Sequence, residues 1–111
     1  MLPRKFRLNV LEFYQNPQRS RQLNSSLGVL SVKSARNALS RFAVVVPAFL
    51  NKRTSYRHQT KRIIIEAIRK CLPGLAGEVE VLIKARKILK KQDRLQVERE
   101  IRIVFHKIGL L

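Results

Sequence analysis

The chain has 111 residues, 45% apolar and 6% aromatic, with four Gly and four Pro; this suits one globular domain over residues 1–111 and excludes a disordered tail or a fibre. Lys and Arg number 24 against 7 Asp and Glu, a formal charge of +17, and self-repulsion on that scale points to a polyanionic partner. No run of about 18 apolar residues is present to span a membrane, Met1-Leu2-Pro3-Arg4-Lys5 has no apolar stretch of a signal peptide, and the single Cys71 fits a reducing cytoplasm.

In chain order, a short helix is expected near Leu8–Gln15, stopped by Asn16-Pro17. The polar stretch 15–26 and the segment 33–40 read as loops. The β-branched runs Leu27–Lys33 and Arg41–Val46 read as strands, the second apolar on both parities and so covered on both faces. A long helix follows from about Arg53 to Leu72, with Thr54 or Ser55 as N-cap and Leu72-Pro73-Gly74 as its stop. Ile64, Ala67, Ile68 and Cys71 share one side of it, with His58, Arg62 and Arg69 on the adjoining flank. Its apolar stripe begins only after residue 62, which predicts that the basic first turns project past the core. Val79–Arg86 alternates, with Val79, Val81, Ile83 and Ala85 facing the core and Glu80, Leu82, Lys84 and Arg86 facing away. A last helix from Asp93 to about Ile108 opens on an Asp-x-x-Gln capping pattern, buries Val97, Ile101, Val104, Phe105 and Ile108, and closes at Gly109.

Equipment for catalysis is hard to find. His58 and His106 stand 48 residues apart with no Cys or carboxylate at ligand spacing, so both read as surface side chains. Cys71 falls on an apolar helix face and reads as a buried thiol. The pairs Glu78/Glu80 and Glu98/Glu100 are too few to gather catalytic metals, and Arg94, Arg99 and Arg102 explain the second pair as helix-surface salt bridges. The chain has no Gly-rich phosphate loop.

Equipment for binding polyanions is concentrated. Residues 1–77 hold 15 Lys and Arg and only two acids, Glu12 and Glu66; residues 78–111 hold 9 and 5. The densest cluster is Arg57-His58-Gln59-Thr60-Lys61-Arg62, extended by Lys52 and Arg53 upstream and by Arg69 and Lys70 downstream. Basic residues at a helix start oppose its macrodipole, a local cost that makes sense if they share phosphates with the helix N-terminus. Phe13 and Tyr14 either stack on unpaired bases, with Arg4, Lys5 and Arg7 on phosphates, or pack the first helix onto the sheet. Phe42 and Phe105 are assigned to packing. Lys84 and Arg86 form a basic floor if their sheet face is open, and rim residues if a helix covers it.

These elements and motifs, in this order, resemble the protein subunit of bacterial ribonuclease P along nearly the whole chain. Leu2-Pro3-Arg4…Arg7-Leu8 is similar to the family's opening, and Glu12-Phe13 to its acidic–Phe pair. Arg41-Phe42-Ala43-Val44-Val45-Val46 resembles the strand before the signature helix. Arg57, Lys61, Arg62 and Glu66 fall at the spacing of the Arg-Asn-Arg signature, followed by Ala67 and Leu72-Pro73. Val81-Leu82-Ile83-Lys84-Ala85-Arg86 resembles the last strand, and Lys107-Ile108-Gly109-Leu110-Leu111 the usual ending. The chain departs from the pattern at His58 for Asn, Gln59 and Ile65 for Arg, and Pro47-Ala48-Phe49 for Ser-Lys-Lys. Pro17 stands where a second aromatic follows the first by four residues, and Ile65 puts an apolar side chain beside the basic flank.

The resemblance implies an α/β (α+β) two-layer sandwich. A small central sheet would carry a short N-terminal helix, a long basic helix and a C-terminal helix, with a left-handed β-α-β crossover where handedness statistics alone favour the right-handed one. It implies the protein component of an endoribonuclease whose catalyst is RNA with bound magnesium, and which removes the 5′ leader of precursor tRNA. The chain itself would hold no catalytic residue, no metal and no cofactor. Arg57, Lys61 and Arg62 would contact the catalytic RNA, with His58 in place of Asn and Lys52, Arg53 and Arg69 alongside. Phe13 would line the leader cleft with Lys84, Arg86, Arg4 and Arg7. The partners implied are the catalytic RNA, one protein to one RNA, and precursor tRNA, in the cytoplasm and away from membranes. The alternative is a non-catalytic ribosomal or RNA-chaperone protein of similar small α/β fold. A protein of anionic membrane surfaces would need a strongly amphipathic basic helix, whereas the apolar stripes here are wanted for the core.

Overall fold

The computed structural model describes residues 2–35, 39–75 and 77–110. Three helices, α1 (Val10–Gln15), α2 (Thr54–Cys71) and α3 (Arg94–Lys107), accompany four strands, β1 (Arg21–Asn24), β2 (Gly28–Ser34), β3 (Arg41–Val45) and β4 (Val79–Ala85). The strands form one sheet in the order β1-β2-β4-β3. β2 pairs antiparallel with β1 and β4, while β3 lies parallel to β4, the two joined through α2.

Strand alternation sorts side chains onto two faces. Leu30, Val32, Phe42, Val44, Val81, Ile83 and Ala85 make one face of a core completed by Ile64, Ala67, Ile68 and Cys71 of α2 and Val97, Ile101, Val104 and Phe105 of α3. The Phe42 and Phe105 rings stack at 5.4 Å. Full burial of a side chain of this size stabilises the fold by about 1.5–3 kcal/mol. On the other face, α1 covers a smaller cluster of Leu8, Phe13, Ala43 and Leu82.

The helix ends differ from the sequence-based expectation in chemistry more than in place. α1 is capped by Asn9, whose Oδ1 accepts the Leu11 N–H at 2.9 Å. α2 begins after Arg53 with no side-chain cap, and Thr54 is its first residue rather than its N-cap. Asp93 stands before α3, yet its carboxylate turns back to accept the Lys90 N–H at 2.8 Å, closing the Lys91–Asp93 turn instead of capping the helix. At the far end, Gly109 takes φ +84°. Its N–H donates to His106 O at 3.1 Å while the Leu110 N–H donates to Phe105 O at 2.8 Å, the paired bonds of a Schellman closure.

Other departures have tertiary causes. β1 lies inside the stretch expected to be loop: it is an edge strand made by backbone pairing with β2, and only Leu23 reaches the core. Residues 33 and 34 extend β2 into the second expected loop, whose residues 36–38 lie outside the described ones. Gly28 is obligatory where this hairpin meets β4, because a Cβ there would sit 2.0 Å from the Lys84 carbonyl oxygen. The buried side of α2 starts at Thr60, not after residue 62. Thr60 Oγ1 accepts the Leu89 N–H at 2.9 Å and donates to Tyr56 O at 3.0 Å, so a hydroxyl docks the N-terminal half of the helix.

Glu80 was expected to face away from the core, but it is 0% exposed. β4 is central, and α1 lies over its second face. Glu80 Oε2 accepts Arg41 Nη2 at 3.0 Å and Oε1 accepts Asn16 Nδ2 at 3.1 Å. Arg41 also reaches Glu12 of α1 at 3.1 Å. Lys33 Nζ donates to Phe13 O and Asn16 O at 2.7 and 3.1 Å, satisfying carbonyls at the end of α1. This polar clamp fixes α1 to the sheet.

Candidate nucleic-acid interface

The densest basic cluster of the sequence lies on the N-terminal half of α2, beside the edge strand β3. The N-terminal segment borders that edge: Arg7 pairs with Phe42, and the Leu8 N–H donates to Phe42 O at 2.8 Å. Three hollows open along this seam. One of about 300 Å³ lies between the N-terminal segment, β3 and α2, lined by Leu2, Arg7, Phe42, Val44, Lys61 and Ile65 among others. A second of about 540 Å³ is lined by His58, Lys61, Arg62, Ile65, Glu66 and Arg94. A third of about 330 Å³ lies between Val10, the end of β3, Thr54, Arg57, His58 and Lys61. Lys61 borders all three, so they meet at its side chain.

Aliphatic and cationic side chains share the lining of the first and third hollows, and the second is lined mainly by His58, Lys61, Arg62 and Arg94 with Ile65 and Glu66, a mixture that offers cations to a phosphate chain and apolar surface to riboses and bases. His58, Lys61 and Arg62 are exposed. Arg57 is half-buried, its Nη2 donating to Thr54 Oγ1 at 3.2 Å while its Nε is enclosed without a partner. Lys52 and Arg53 are exposed on the approach to α2; the Arg53 N–H donates to Asn51 Oδ1 at 2.8 Å and its guanidinium lies 5.9 Å from the Tyr56 ring centre. Between Glu12 and Glu66 the sequence has no carboxylate; Glu66 itself lines the second hollow, where its carboxylate is bonded to Arg69.

The other expected residues are not all brought together. Arg69 borders none of the three hollows. It forks onto Glu66, which raises the guanidinium further above its ordinary value through that hydrogen bond and charge. The Glu66 carboxyl is held below its usual range chiefly by the same hydrogen bond. Arg7 lies on the α2 side of the sheet with Lys61, its Nε donating to Leu2 O at 2.8 Å. Arg4 is exposed in the Arg4–Phe6 turn outside the hollows. Lys84 is exposed on the opposite sheet face, between Val29 and Val45. Arg86 stands beyond the end of β4, its Nη2 donating to Asn24 Oδ1 at 3.4 Å. That face is therefore open at Lys84 and covered by α1 at Leu82 and Glu80.

Phe13, expected in a base-stacking cleft, is 2% exposed and packs α1 onto Leu8, Ala43 and Leu82. The Lys33 ammonium lies 4.4 Å from its ring centre and Tyr14 meets it edge-on at 5.7 Å, so no ring face is left for a base. Tyr14 is the exposed aromatic of the pair, at 67%. Arg94 was missed as a binding candidate. Reading it as a surface partner of Glu98 hid it, and Glu98 instead pairs across helices with Lys70 at 2.5 Å; no local signal in the sequence links residue 94 to residue 62.

Among the described residues no three His, Cys, Asp or Glu side chains gather as a metal site needs, and no helix is long and apolar enough to cross a membrane. Cys71 is buried, and desolvation pushes its thiol up from the ordinary value.

Comparison with known proteins adds to this geometry. A family profile described as Ribonuclease P matches residues 2–109. Among solved structures, the chain is similar to the ribonuclease P protein of Staphylococcus aureus, with a TM-score of 0.74 at 15% identity over 95% of this chain and 96% of that one. It is similar also to the ribonuclease P protein from Thermotoga maritima, with a TM-score of 0.72 at 16% identity over 93% and 97%. Among curated proteins no sequence match was found.

Proposed function

The chain belongs to the ribonuclease P protein family, and we propose that it binds the catalytic RNA through the N-terminal half of α2 and assists RNA-catalysed removal of the 5′ leader from precursor tRNA. The observation that carries the reading is the meeting of three hollows at Lys61, rimmed by Arg7, Arg57, His58, Arg62 and Arg94. Phosphates of the catalytic RNA lie on those rims, and the screening they receive lowers the repulsion between two polyanions. The leader follows the opposite sheet face past Lys84 and Arg86. There the exposed Tyr14, not Phe13, is the aromatic available for stacking, with Phe13 as its buried support.

In this reading magnesium bound by the RNA would supply the hydrolytic chemistry. The protein's part is to bind, screen and orient, as one protein on one RNA. The test combines the protein with the ribonuclease P RNA of the same genome and a precursor tRNA at low magnesium and moderate salt. Cleavage with both components, above RNA alone and absent with protein alone, is expected. No stimulation over RNA alone refutes the proposal. If six to eight cations contact phosphate, log affinity falls against log salt with a slope of roughly −4 to −7.

A further inference from the structure

We propose that Phe49 is a stacking platform for one unpaired RNA base, set in a cationic pole where β3 and β4 end. The inference rests on the RNA-binding reading above and adds a contact to it. Phe49 is 82% exposed, more than any other large apolar side chain among the described residues. A single exposed apolar residue is ordinary on a protein surface; the surroundings of this one are not.

Phe49 is presented by a built turn. Pro47 precedes the 3₁₀ turn Ala48–Leu50, the Leu50 N–H donates to Pro47 O at 3.2 Å, and Leu50 packs against the main core. The backbone that carries the ring is therefore anchored on both sides. Because β3 and β4 run parallel, with Val45 opposite Lys84, the chain leaving β4 emerges at the same end of the sheet as Pro47. That end carries Lys84 of β4 with Lys52, Arg53 and Arg57 from the start of α2, whereas Arg86 reaches back to Asn24 of β1 and Lys87 lies by Ser26 and Asp93. The Leu89–Thr60 hydrogen bond ties the two segments together. Glu12, Glu78 and Glu80 belong to the other end of the sheet: Glu80 stands opposite Arg41, the first residue of β3, Glu12 is bonded to Arg41, and Glu78 precedes β4. Asp93, which follows the β4 exit, has its carboxylate on the Lys90 N–H.

An exposed aromatic at the end of the sheet where Lys52, Arg53, Arg57 and Lys84 also lie matches an unpaired nucleotide, whose base stacks while its flanking phosphates meet Lys and Arg. Tyr56, in the first turn of α2, is a second exposed aromatic, and Arg53 lies over its ring. An acidic peptide or an anionic membrane would use the charge, but would not need the flat ring. That difference is what the test reads.

Phe49→Ala, Phe49→Leu and Phe49→Tyr are made in the full chain, with unchanged melting curves confirming the fold. Two arms are measured: affinity for the ribonuclease P RNA alone, and affinity of the assembled enzyme for precursor tRNA against mature tRNA without a leader. Phe49→Ala and Phe49→Leu are expected to weaken one arm about fivefold or more, from the loss of one stacked base. Phe49→Tyr is expected to stay within about twofold of the original protein, since its ring stacks as well. Loss in the first arm places the base in the catalytic RNA, and loss in the second places it in the leader. Full affinity in Phe49→Leu, or in Phe49→Ala in both arms, overturns the stacking role. If the unaltered protein binds neither RNA, the RNA-binding reading itself fails and this inference with it.

Discussion

Replacing Arg41 by Met removes a guanidinium that bridges α1 to the sheet while keeping a side chain of similar reach. Arg41 is 14% exposed and Glu80 is 0% exposed, with 3.0 Å between their charged atoms. Removing one partner of a buried pair costs about 3–5 kcal/mol, because the other charge stays desolvated. Asn16 Nδ2 still donates to Glu80, which places the expected loss near the lower end, about 3 kcal/mol. A chain of this length has a total stability of roughly 6–17 kcal/mol, so the variant folds, with Tm lowered by about 12 °C at about 4 °C per kcal/mol. A double-mutant cycle with Glu80→Gln isolates the pair. Once the buried carboxylate is neutral, losing Arg41 is expected to cost at least about 1.5 kcal/mol less. The assay is urea unfolding followed by circular dichroism. A destabilisation under about 1 kcal/mol for Arg41→Met, or strict additivity in the cycle, refutes the clamp.

Gly28→Ala is expected to cost about 3 kcal/mol or more, because the new methyl meets the Lys84 backbone, which cannot swing aside; the urea midpoint reads it. Arg62→Ala is expected to weaken binding to the ribonuclease P RNA and to flatten the salt slope by about one unit, whereas an unchanged slope removes Arg62 from the interface. Cys71 is expected to resist iodoacetamide at pH 8 until the chain unfolds, since burial disfavours its thiolate; alkylation of the folded protein at the rate of a free thiol contradicts that. Glu66 has a lowered folded value, so its contribution to stability is complete above the unfolded value of about 4.3 and is lost as pH falls through the folded one. Glu66→Gln is therefore expected to be slightly less stable than the original protein at neutral pH and equal to it in acid. The difference is small because both partners are exposed, and a larger gap in acid than at neutrality reverses the sign and refutes it.

The helices α2 and α3 and the strand β4 were legible in the sequence because each hides an apolar face that its own periodicity declares, and β2 and β3 because they are β-branched runs, the second apolar on both parities. β1 was not: its stability comes from backbone bonds to β2, and Gln22 and Asn24 bear no mark of that pairing. Alternation along β4 assigned Glu80 to one side of the strand correctly, but could not say that α1 would cover that side. Phe13 carried the same ambiguity, and packing under α1 resolved it against stacking.

Charge and family membership were determined by the sequence alone: 24 Lys and Arg against 7 acids, crowded before residue 78, and a motif order that runs the length of the chain. Those are properties of composition and spacing, which folding does not alter. Which cations act together was decided by tertiary structure. Arg7 and Arg94 meet Lys61 and Arg62 from remote parts of the chain, Arg69 is drawn to Glu66 instead, and Lys84 turns to the opposite face. The physical reason is that a phosphate responds to distances of a few ångströms, and only packing of the sheet against its helices sets those between residues so far apart in sequence.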